Sequence, residues 1–467
     1  MSAPPKFIAP DATLSSALAR MSRKQTSSLF VHPSEAGALP RPDQVGIVTE
    51  RDVLRAFAAH GVDGFTLPVE KAMSRPLACV PADAFAYLAI SRMRRLKIRH
   101  LGVTDEQENV IGALSARDLL RLRAESDLLL GDEIDQAVDV PGLARAWGKL
   151  PQIAAALVSE DIAGGNIAAL ISRRVGGLTE RAAALAEQRM QREGRGEPPC
   201  PYTVAVLGSA GREESLLAMD QDNALIFTEG EPDSAEDRWF AALSVHVADI
   251  LHEVGVPYCK GGVMARNPQW RGSMETWRRR IEHWIGRSNP EDLLSVDIFF
   301  DLRPVHGELS LAESVWRTAF DAARGNAAFA KLLTESAGSR EGGLNWFGRF
   351  KTDQGRIDLK KAGLFGIVNT ARTLAIRHHV VERSTLARLA GLKALDRGAE
   401  ADLDALADTQ GTFIDLILDQ QIDDIEHGRP VTNSVAIERL SRRNRRRLHT
   451  ALEAVEHVEE LTRDLLI

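Results

Sequence analysis

The stretch Thr203–Phe227, TVAVLGSAGREESLLAMDQDNALIF, decides the fold of the second half of the chain. Its apolar run Val204–Leu207 predicts a buried strand, and the Gly/Ser segment after it predicts a turn. Asp220 and Asp222 stand before a second apolar run. Because residues two apart on a strand point to one face, these carboxylates can hold the same divalent cation. The backbone N–H groups of the turn can cradle a phosphate beside them.

The motif order in this stretch is specific. Gly-Ser-x-Gly-Arg-x-Glu is followed by Asp-Gln-Asp-Asn-Ala-Leu-Ile. This pattern resembles the DUF294 nucleotidyltransferase domain, which is related to the N-terminal domain of bacterial PII uridylyltransferases in the polymerase-β-like superfamily. The resemblance implies transfer of a nucleotidyl group from a nucleoside triphosphate, with Mg²⁺ (or Mn²⁺) as cofactor.

The site residues follow from the motif and from the charge that develops on phosphate oxygens during transfer. Asp220 and Asp222 are the expected catalytic metal ligands, since carboxylates must hold the metals that neutralise this charge. The turn and the arginine after it are expected to bind the β- and γ-phosphates. These residues are Gly208, Ser209, Gly211 and Arg212. Pairing of Arg212 with Glu214 as a scaffold is the alternative.

A third carboxylate is expected on a strand next to the two aspartates. The run Leu294–Arg303, LSVDIFFDLR, alternates and predicts a strand on which Asp297, Phe299 and Asp301 share one face. Polymerase-β-like enzymes place a third carboxylate on such a strand, and the family-like run Phe-Phe-Asp-x-Arg-Pro favours Asp301 as metal ligand or base. Asp297 is an alternative, and a plain ion pair to Arg303 is another.

A second loop also resembles the family. The pattern Cys-Lys-Gly-x-x-Met-Ala-x-Asn-x-x-Trp begins at Cys259. Lys260 on this Gly-rich loop could bind a triphosphate as a mobile cation, and a solvated loop lysine is the alternative. We interpret Cys259 as a small apolar residue rather than a nucleophile, because no Cys/His constellation surrounds it.

The first quarter of the chain contains an internal repeat. Segments of strand and helix recur, and each copy ends on the same junction, GIVTERDVL at 46–54 and GALSARDLL at 112–120. The helices predicted between these strands include Thr13–Arg23, Ala84–Leu96 and helices opening at Glu50 and Ala116.

The repeat resembles a tandem pair of CBS domains, known as a Bateman module. The resemblance implies homodimer formation through the pair. It also implies binding of an adenine nucleotide by the hydroxyl and carboxylate of each junction: Thr49, Asp52, Ser115 and Asp118. The alternative is that Ser/Thr-x-x-Asp is only a capping box, which satisfies free N–H groups at the helix start.

The chain is expected to form four regions of an α+β multidomain protein. These are the CBS pair at 1–125, a helical connector at 126–197, a polymerase-β-like mixed α/β core at 198–310 and a C-terminal helical bundle at 311–467. The last region resembles the substrate-binding domain that accompanies DUF294, through its segment Gly355–Leu374. There Lys360, Lys361 and Arg372 could face the cleft or form a solvated surface.

Composition sets further limits. A chain of 467 residues with 44% hydrophobic and 26% charged residues fits a globular protein of several domains. Its net charge of −7 gives no global attraction to nucleic acid or membrane, and the basic run Arg439–Arg447 is better explained as a solvated helix face. Three widely spaced cysteines and no recognisable signal or membrane segment predict a cytoplasmic location.

The leading hypothesis is a signalling nucleotidyltransferase that is regulated by the CBS pair. Its acceptor is unknown, and a protein side chain, as in PII uridylylation, is one class. Two other hypotheses remain. One is a nucleotide-sensing protein without turnover, and the other is a dimeric scaffold built on the CBS pair.

Overall fold

The computed structural model describes residues 5–456 apart from 25, 34–38, 83–88, 90–91, 94, 97, 106, 116–129, 288–292, 325, 327–328, 330–332, 334–341, 346–347 and 398–399. The chain forms two compact units, Met1–Leu128 and Leu129–Ile467. The divisions predicted at 197 and 310 fall inside the second unit and stay predictions.

The first unit contains two three-stranded sheets of identical plan. In each sheet the first strand is parallel to the second, and the second is antiparallel to the third. The strands are β1 (Phe7–Ile8), β2 (Ser28–Val31), β3 (Gly46–Thr49), β4 (Cys79–Pro81), β5 (His100–Thr104) and β6 (Val110–Ser115). The shared topology confirms the internal repeat.

Two described helices of the first unit begin at, or one residue after, the position that the sequence predicts. Helix α1 covers Leu14–Arg23, and the Thr13 hydroxyl caps it by accepting from the Ser16 N–H at 3.2 Å. Helix α2 covers Glu50–His60. The helix predicted for residues 84–96 lies largely outside the described residues, and so does the beginning of the one predicted from Ala116.

The second unit is built on a mixed four-stranded sheet. Its order is β10–β7–β8–β9, with β7 (Tyr202–Val206), β8 (Asn223–Phe227), β9 (Arg271–Ser273) and β10 (Arg303–Gly307). Strands β8 and β9 are parallel, and the other neighbours are antiparallel. Every residue of β7 and β8 is buried, because hydrophobic clusters cover both faces of the sheet. The quoted stretch is therefore the centre of this unit.

Helices surround the sheet and continue to the end of the described chain. They are α3 (Val140–Trp147), α4 (Leu150–Ser159), α5 (Gly164–Arg192), α6 (Gly208–Gly211), α7 (Ala235–Val254), α8 (Met274–Arg287), α9 (Leu293–Phe299), α10 (Leu309–Ala323), α11 (Phe365–Arg377), α12 (Thr385–Ala394), α13 (Glu400–Glu426) and α14 (Arg442–Glu456). A small antiparallel pair, β11 (Arg356–Asp358) and β12 (Ser434–Ala436), and a π-helical turn at Lys360–Leu364 complete the unit. The predicted α+β class is confirmed.

The strand predicted for Leu294–Arg303 is wrong. Residues Leu293–Phe299 form α9, and the strand β10 begins only at Arg303. Val296, Phe299 and Phe300 are all buried, and their spacing is the helical one. The packing of these side chains favours a helix, although the alternation of Asp297, Phe299 and Asp301 had favoured a strand. Strand β10 also pairs with β7 rather than with β8.

Candidate active site

The two aspartates of the opening motif converge with a cysteine. One ligand atom from each of Asp220, Asp222 and Cys259 lies within 4.8 Å of the other two. The sequence pattern suggested that the two aspartates lie on a strand. Strand β8 begins only at Asn223, so both aspartates lie on the irregular segment before it. The backbone N–H of Leu207 donates to the Asp222 carbonyl at 3.0 Å, which extends the pairing of β7 to this point.

Two helices far away in sequence hold the loop that carries Asp220. The Ser215 N–H donates to the Ser172 hydroxyl on α5 at 2.8 Å. The Leu217 N–H donates to the Gln421 side chain on α13, also at 2.8 Å. Helix α5, predicted to be part of a connector, and a helix of the C-terminal region therefore both position the loop.

The Gly/Ser turn approaches the site so closely that two glycines are required. Gly208 has a φ of +55°, and a Cβ there would lie 2.7 Å from Asp222 Oδ2. At Gly211 a Cβ would lie 1.8 Å from the backbone oxygen of Asp301. Ser209 stands between them, and its Oγ lies 3.3 Å from the hydroxyl of Ser215. The turn thus places Ser209 in the same region as the aspartates.

The electrostatics of the site disfavour the charge of Asp222. Burial and the neighbouring Asp220 raise the pKa of Asp222 to about 6, although the Cys259 thiol hydrogen bond and the charge of Lys360 oppose this. Burial and the charge of Asp222 raise the pKa of the Cys259 thiol to about 12. Such a concentration of negative charge favours a bound cation.

A narrow cleft of about 40 Å³ lies beside Asp220, and both the segment 209–220 and the C-terminal region line it. Its lining includes Ser209 and Asp220 from the first and Lys360 and Gln410 from the second. The Lys360 Nζ lies 5.6 Å from the centre of the Phe365 ring.

Gln410 is only 2% exposed, and its Oε1 has no hydrogen-bond partner in the part of the chain that the structure describes. A buried amide oxygen without a hydrogen-bond partner is energetically costly. The sequence patterns identified neither Gln410 as a cleft residue nor Cys259 as a neighbour of the two aspartates. The family-like stretch that begins at Cys259 was the one sequence signal for a functional loop.

Asp301 lies in a different environment from the one predicted. Its fully buried carboxylate accepts from Arg212 at 2.5 Å and Arg372 at 2.6 Å, and it lies 3.0 Å from the Arg388 Nη1. Burial opposes ionisation, but these arginines outweigh it and lower the pKa of Asp301 to about 2. In the described residues, Asp301 does not join the group formed by Asp220, Asp222 and Cys259.

The same network explains several motif residues. Arg212 also pairs with Glu214 at 2.7 Å, which corresponds to the scaffold alternative rather than to an arginine free for phosphate. Glu214 in turn accepts from the Thr385 N–H at 2.7 Å. Asp297, the alternative third carboxylate, is buried 3.6 Å from Arg372. The network therefore joins the catalytic sheet to helices α11 and α12.

Two lysines considered from the sequence lie on the surface. Lys260 is exposed in the turn that follows Cys259, and Lys361 is exposed beside Lys360. The exposure of Lys260 is compatible with a mobile cation and with a solvated loop residue.

The first unit contains a larger cleft of about 900 Å³ between its two sheets. Thr49, Asp52 and Ser115 line it, as the repeat predicts, together with Arg51 and Arg99. The Thr49 N–H and hydroxyl donate to Asp52 Oδ2 at 2.9 and 2.7 Å, so the capping interaction is also present. Asp118 lies outside the described residues.

Among the described helices, none has the length and apolar character that a bilayer crossing requires. One curated relative, an uncharacterised 17.7 kDa protein of Acidianus ambivalens, is 31% identical over 114 residues. That match covers 24% of this chain and 64% of the relative, which is less than two thirds of its length.

Solved structures of CBS-domain proteins are similar to part of the chain. One from Agrobacterium tumefaciens is 21% identical and covers 26% of this chain and 86% of its own, with a TM-score of 0.24. Another, from Pyrobaculum aerophilum in complex with AMP, is 24% identical and covers 27% and 95%, with a TM-score of 0.23.

Three family models match the chain. The CBS domain model matches residues 1–59 and 69–125. The model described as "Putative nucleotidyltransferase DUF294" matches residues 148–291, and the one described as "Putative nucleotidyltransferase substrate binding domain" matches 327–465. These matches confirm the resemblance: the chain carries a pair of CBS domains, a DUF294 nucleotidyltransferase region and its companion substrate-binding region.

Proposed function

We propose that the protein transfers a nucleotidyl group from a nucleoside triphosphate to a hydroxyl of an acceptor, and that the CBS pair regulates this transfer. The observation that carries the proposal is the convergence of Asp220 and Asp222 beside the Gly208–Gly211 turn, inside the region matched by DUF294. The acceptor hydroxyl oxygen would bond to the α-phosphorus and its proton would leave to solvent, while the bond from the α-phosphorus to the oxygen bridging to the β-phosphorus would break and pyrophosphate would leave.

The donor set fits a divalent cation. Two carboxylates lie together, and Gly208 leaves room where a side chain would press on Asp222. Asp220 and Asp222 would hold Mg²⁺ or Mn²⁺. Such a cation, when bound, neutralises the charge that develops on phosphate oxygens.

The chain itself would bind and orient the triphosphate. Ser209 and the N–H groups of the turn would bind phosphate oxygens, and Lys360, which lines the same cleft as Ser209, would supply a positive charge. The exposed Lys260 would act as a second, mobile cation. Arg212 and Asp301 would support the turn through their buried ion pair.

A second candidate function is nucleotide sensing without turnover. It is favoured by the strands on either side of β8, because neither Tyr202–Val206 nor Arg271–Ser273 contains a carboxylate. A site with two aspartates and no third carboxylate could bind a nucleotide and its cation without transferring it.

For the CBS pair we propose an adenine nucleotide as effector. The 900 Å³ cleft lined by Thr49, Asp52 and Ser115 is large enough for one, and Arg51 and Arg99 offer charge for its phosphate. We also propose that the pair dimerises, since Leu54 and Phe57 on α2 are 67% and 43% exposed. The acceptor, whether a protein or a small molecule, and the cytoplasmic location stay predictions.

The test is labelling. The purified full-length protein is incubated with α-labelled nucleoside triphosphates, Mg²⁺ or Mn²⁺, and a cell lysate, and the labelled product is identified. We expect labelling that Asp220→Ala and Asp222→Ala abolish. Transfer that survives both substitutions would overturn the proposal. Nucleotide binding that depends on both aspartates, without any labelled product, would instead establish the sensing function.

A further inference from the structure

We propose that Cys259 is the third protein ligand of the cation site of Asp220 and Asp222, and that the site favours a sulfur-binding dication such as Zn²⁺ over Mg²⁺. This inference rests on the proposed function, because it concerns the cation that the two aspartates would hold.

The three side chains are already assembled. One ligand atom from each lies within 4.8 Å of the other two. Donor atoms around one tetrahedral zinc ion lie about 3.5 Å apart. Small side-chain rotations would therefore be enough for all three to bind one ion. On binding, the thiol proton would leave to solvent as the metal–sulfur bond forms.

Among the described residues, no third carboxylate takes this place. The strands that flank β8 carry none, and Asp301 is enclosed by Arg212, Arg372 and Arg388. Sulfur is thus the third donor that the chain brings to the aspartates.

The type of donor decides the type of cation. Mg²⁺ demands oxygen ligands, whereas Zn²⁺ binds thiolate and carboxylate together. Catalytic zinc sites typically have three protein ligands and one open position, which is the number that Asp220, Asp222 and Cys259 supply.

The experiment uses Cd²⁺ as probe, because a cadmium–thiolate bond gives a charge-transfer absorption in the ultraviolet. The full-length protein is titrated with Cd²⁺, and its Cys259→Ser, Cys79→Ser and Cys200→Ser variants are compared. Cys79 and Cys200 are buried free cysteines and serve as matched controls. We expect Cys259→Ser to lose the band and at least about tenfold in Cd²⁺ affinity. Both control variants should keep the band and the affinity.

A Cys259→Asp variant tests the same point in the opposite direction. Replacing sulfur by oxygen should lower the affinity for Cd²⁺ and raise that for Mg²⁺, and this variant remains informative if Cys259→Ser fails to fold. A band that persists in Cys259→Ser, or that disappears in Cys200→Ser, would overturn the inference.

A Mn²⁺ titration in the presence of a nucleoside triphosphate separates this inference from the proposed function. If Mn²⁺ binding depends on Asp222 but the cadmium band does not depend on Cys259, only the inference fails. If the wild-type protein binds neither Mn²⁺ nor nucleotide, the proposed function fails with it.

Discussion

The carboxyl group of Asp222 lies in an environment that disfavours its charge. Its folded-state pKa is raised from 3.8 to about 6, so the folded protein holds this proton more tightly than the unfolded chain does. The ionised carboxylate is therefore penalised above about pH 6, and the penalty disappears as the pH falls toward 4. This is the expected cost of a site that is built to bind a cation.

Asp222→Asn should remove that cost. In the presence of a chelator at pH 7.5, we expect the variant's free energy of unfolding to exceed that of the wild type by about 1–3 kcal/mol, and by almost nothing at pH 4. Denaturant titrations at both pH values measure it. A similar destabilisation at both pH values would contradict the assignment. Saturating Mn²⁺ should stabilise the wild type and not the variant.

Asp301 shows the opposite behaviour, because three arginines stabilise its charge. Replacing it by Asn would leave buried guanidinium groups without their partner, so we expect a loss of about 3–5 kcal/mol in the free energy of unfolding. Asp321→Asn is the control, since that side chain is 72% exposed and should change stability by less than about 0.5 kcal/mol. A metal ligand would behave differently: its loss would weaken cation binding without destabilising the chelated protein.

The segment around Asp301 also shows where sequence patterns mislead. Two aspartates four residues apart fit either a strand face or a helix face, and the alternation LSVDIFFDLR favoured the strand. The spacing of Val296, Phe299 and Phe300 already carried the helical period. Phe299 packs on Trp277, at 5.2 Å between ring centres, and on Trp284, at 5.7 Å. These contacts come from α8, and no pattern within 294–303 contains them.

The π-helical turn Lys360–Leu364 offers a direct test of the cleft. Lys360 lines the cleft together with Asp220, whereas its neighbour Lys361 is exposed. π-Helical turns occur often at functional sites. We expect Lys360→Met to weaken nucleoside triphosphate binding about 10- to 100-fold, since a charged hydrogen bond contributes about 1.5–3 kcal/mol.

The matched variant Lys361→Met should bind as the wild type does. Isothermal titration with a non-hydrolysable triphosphate measures both. Equal losses in the two variants would indicate a general effect of positive charge, and no loss in either would remove Lys360 from the site.

Much of the organisation of the chain could be predicted from the sequence because it is carried by local patterns. The repeated junctions 46–54 and 112–120 predicted two copies of one strand-and-helix unit, and the run Val204–Leu207 predicted the buried central strand. The rest depends on contacts between distant residues. Nothing near Ser172 or Gln421 indicates that these side chains hold the loop of Asp220. Likewise, Gln410 is one polar residue in a long helix until packing leaves its oxygen without a partner.

Regulation of the transferase by the CBS pair can be tested with AMP. AMP lacks the pyrophosphate leaving group, so it cannot serve as a nucleotidyl donor, and any effect on transfer must come from binding. We expect AMP to raise the melting temperature of the full-length protein and to change the transfer rate severalfold. Asp52→Ala should abolish both effects while leaving transfer without AMP unchanged.

The capping role of Asp52 makes a competing prediction for the same variant. Losing the bonds to the Thr49 N–H and hydroxyl should cost about 1 kcal/mol in stability, whether or not a ligand binds. Asp52→Ala would then melt earlier and still respond fully to AMP. Because the AMP response and the stability without ligand are measured separately, one variant distinguishes a nucleotide-binding carboxylate from a helix cap.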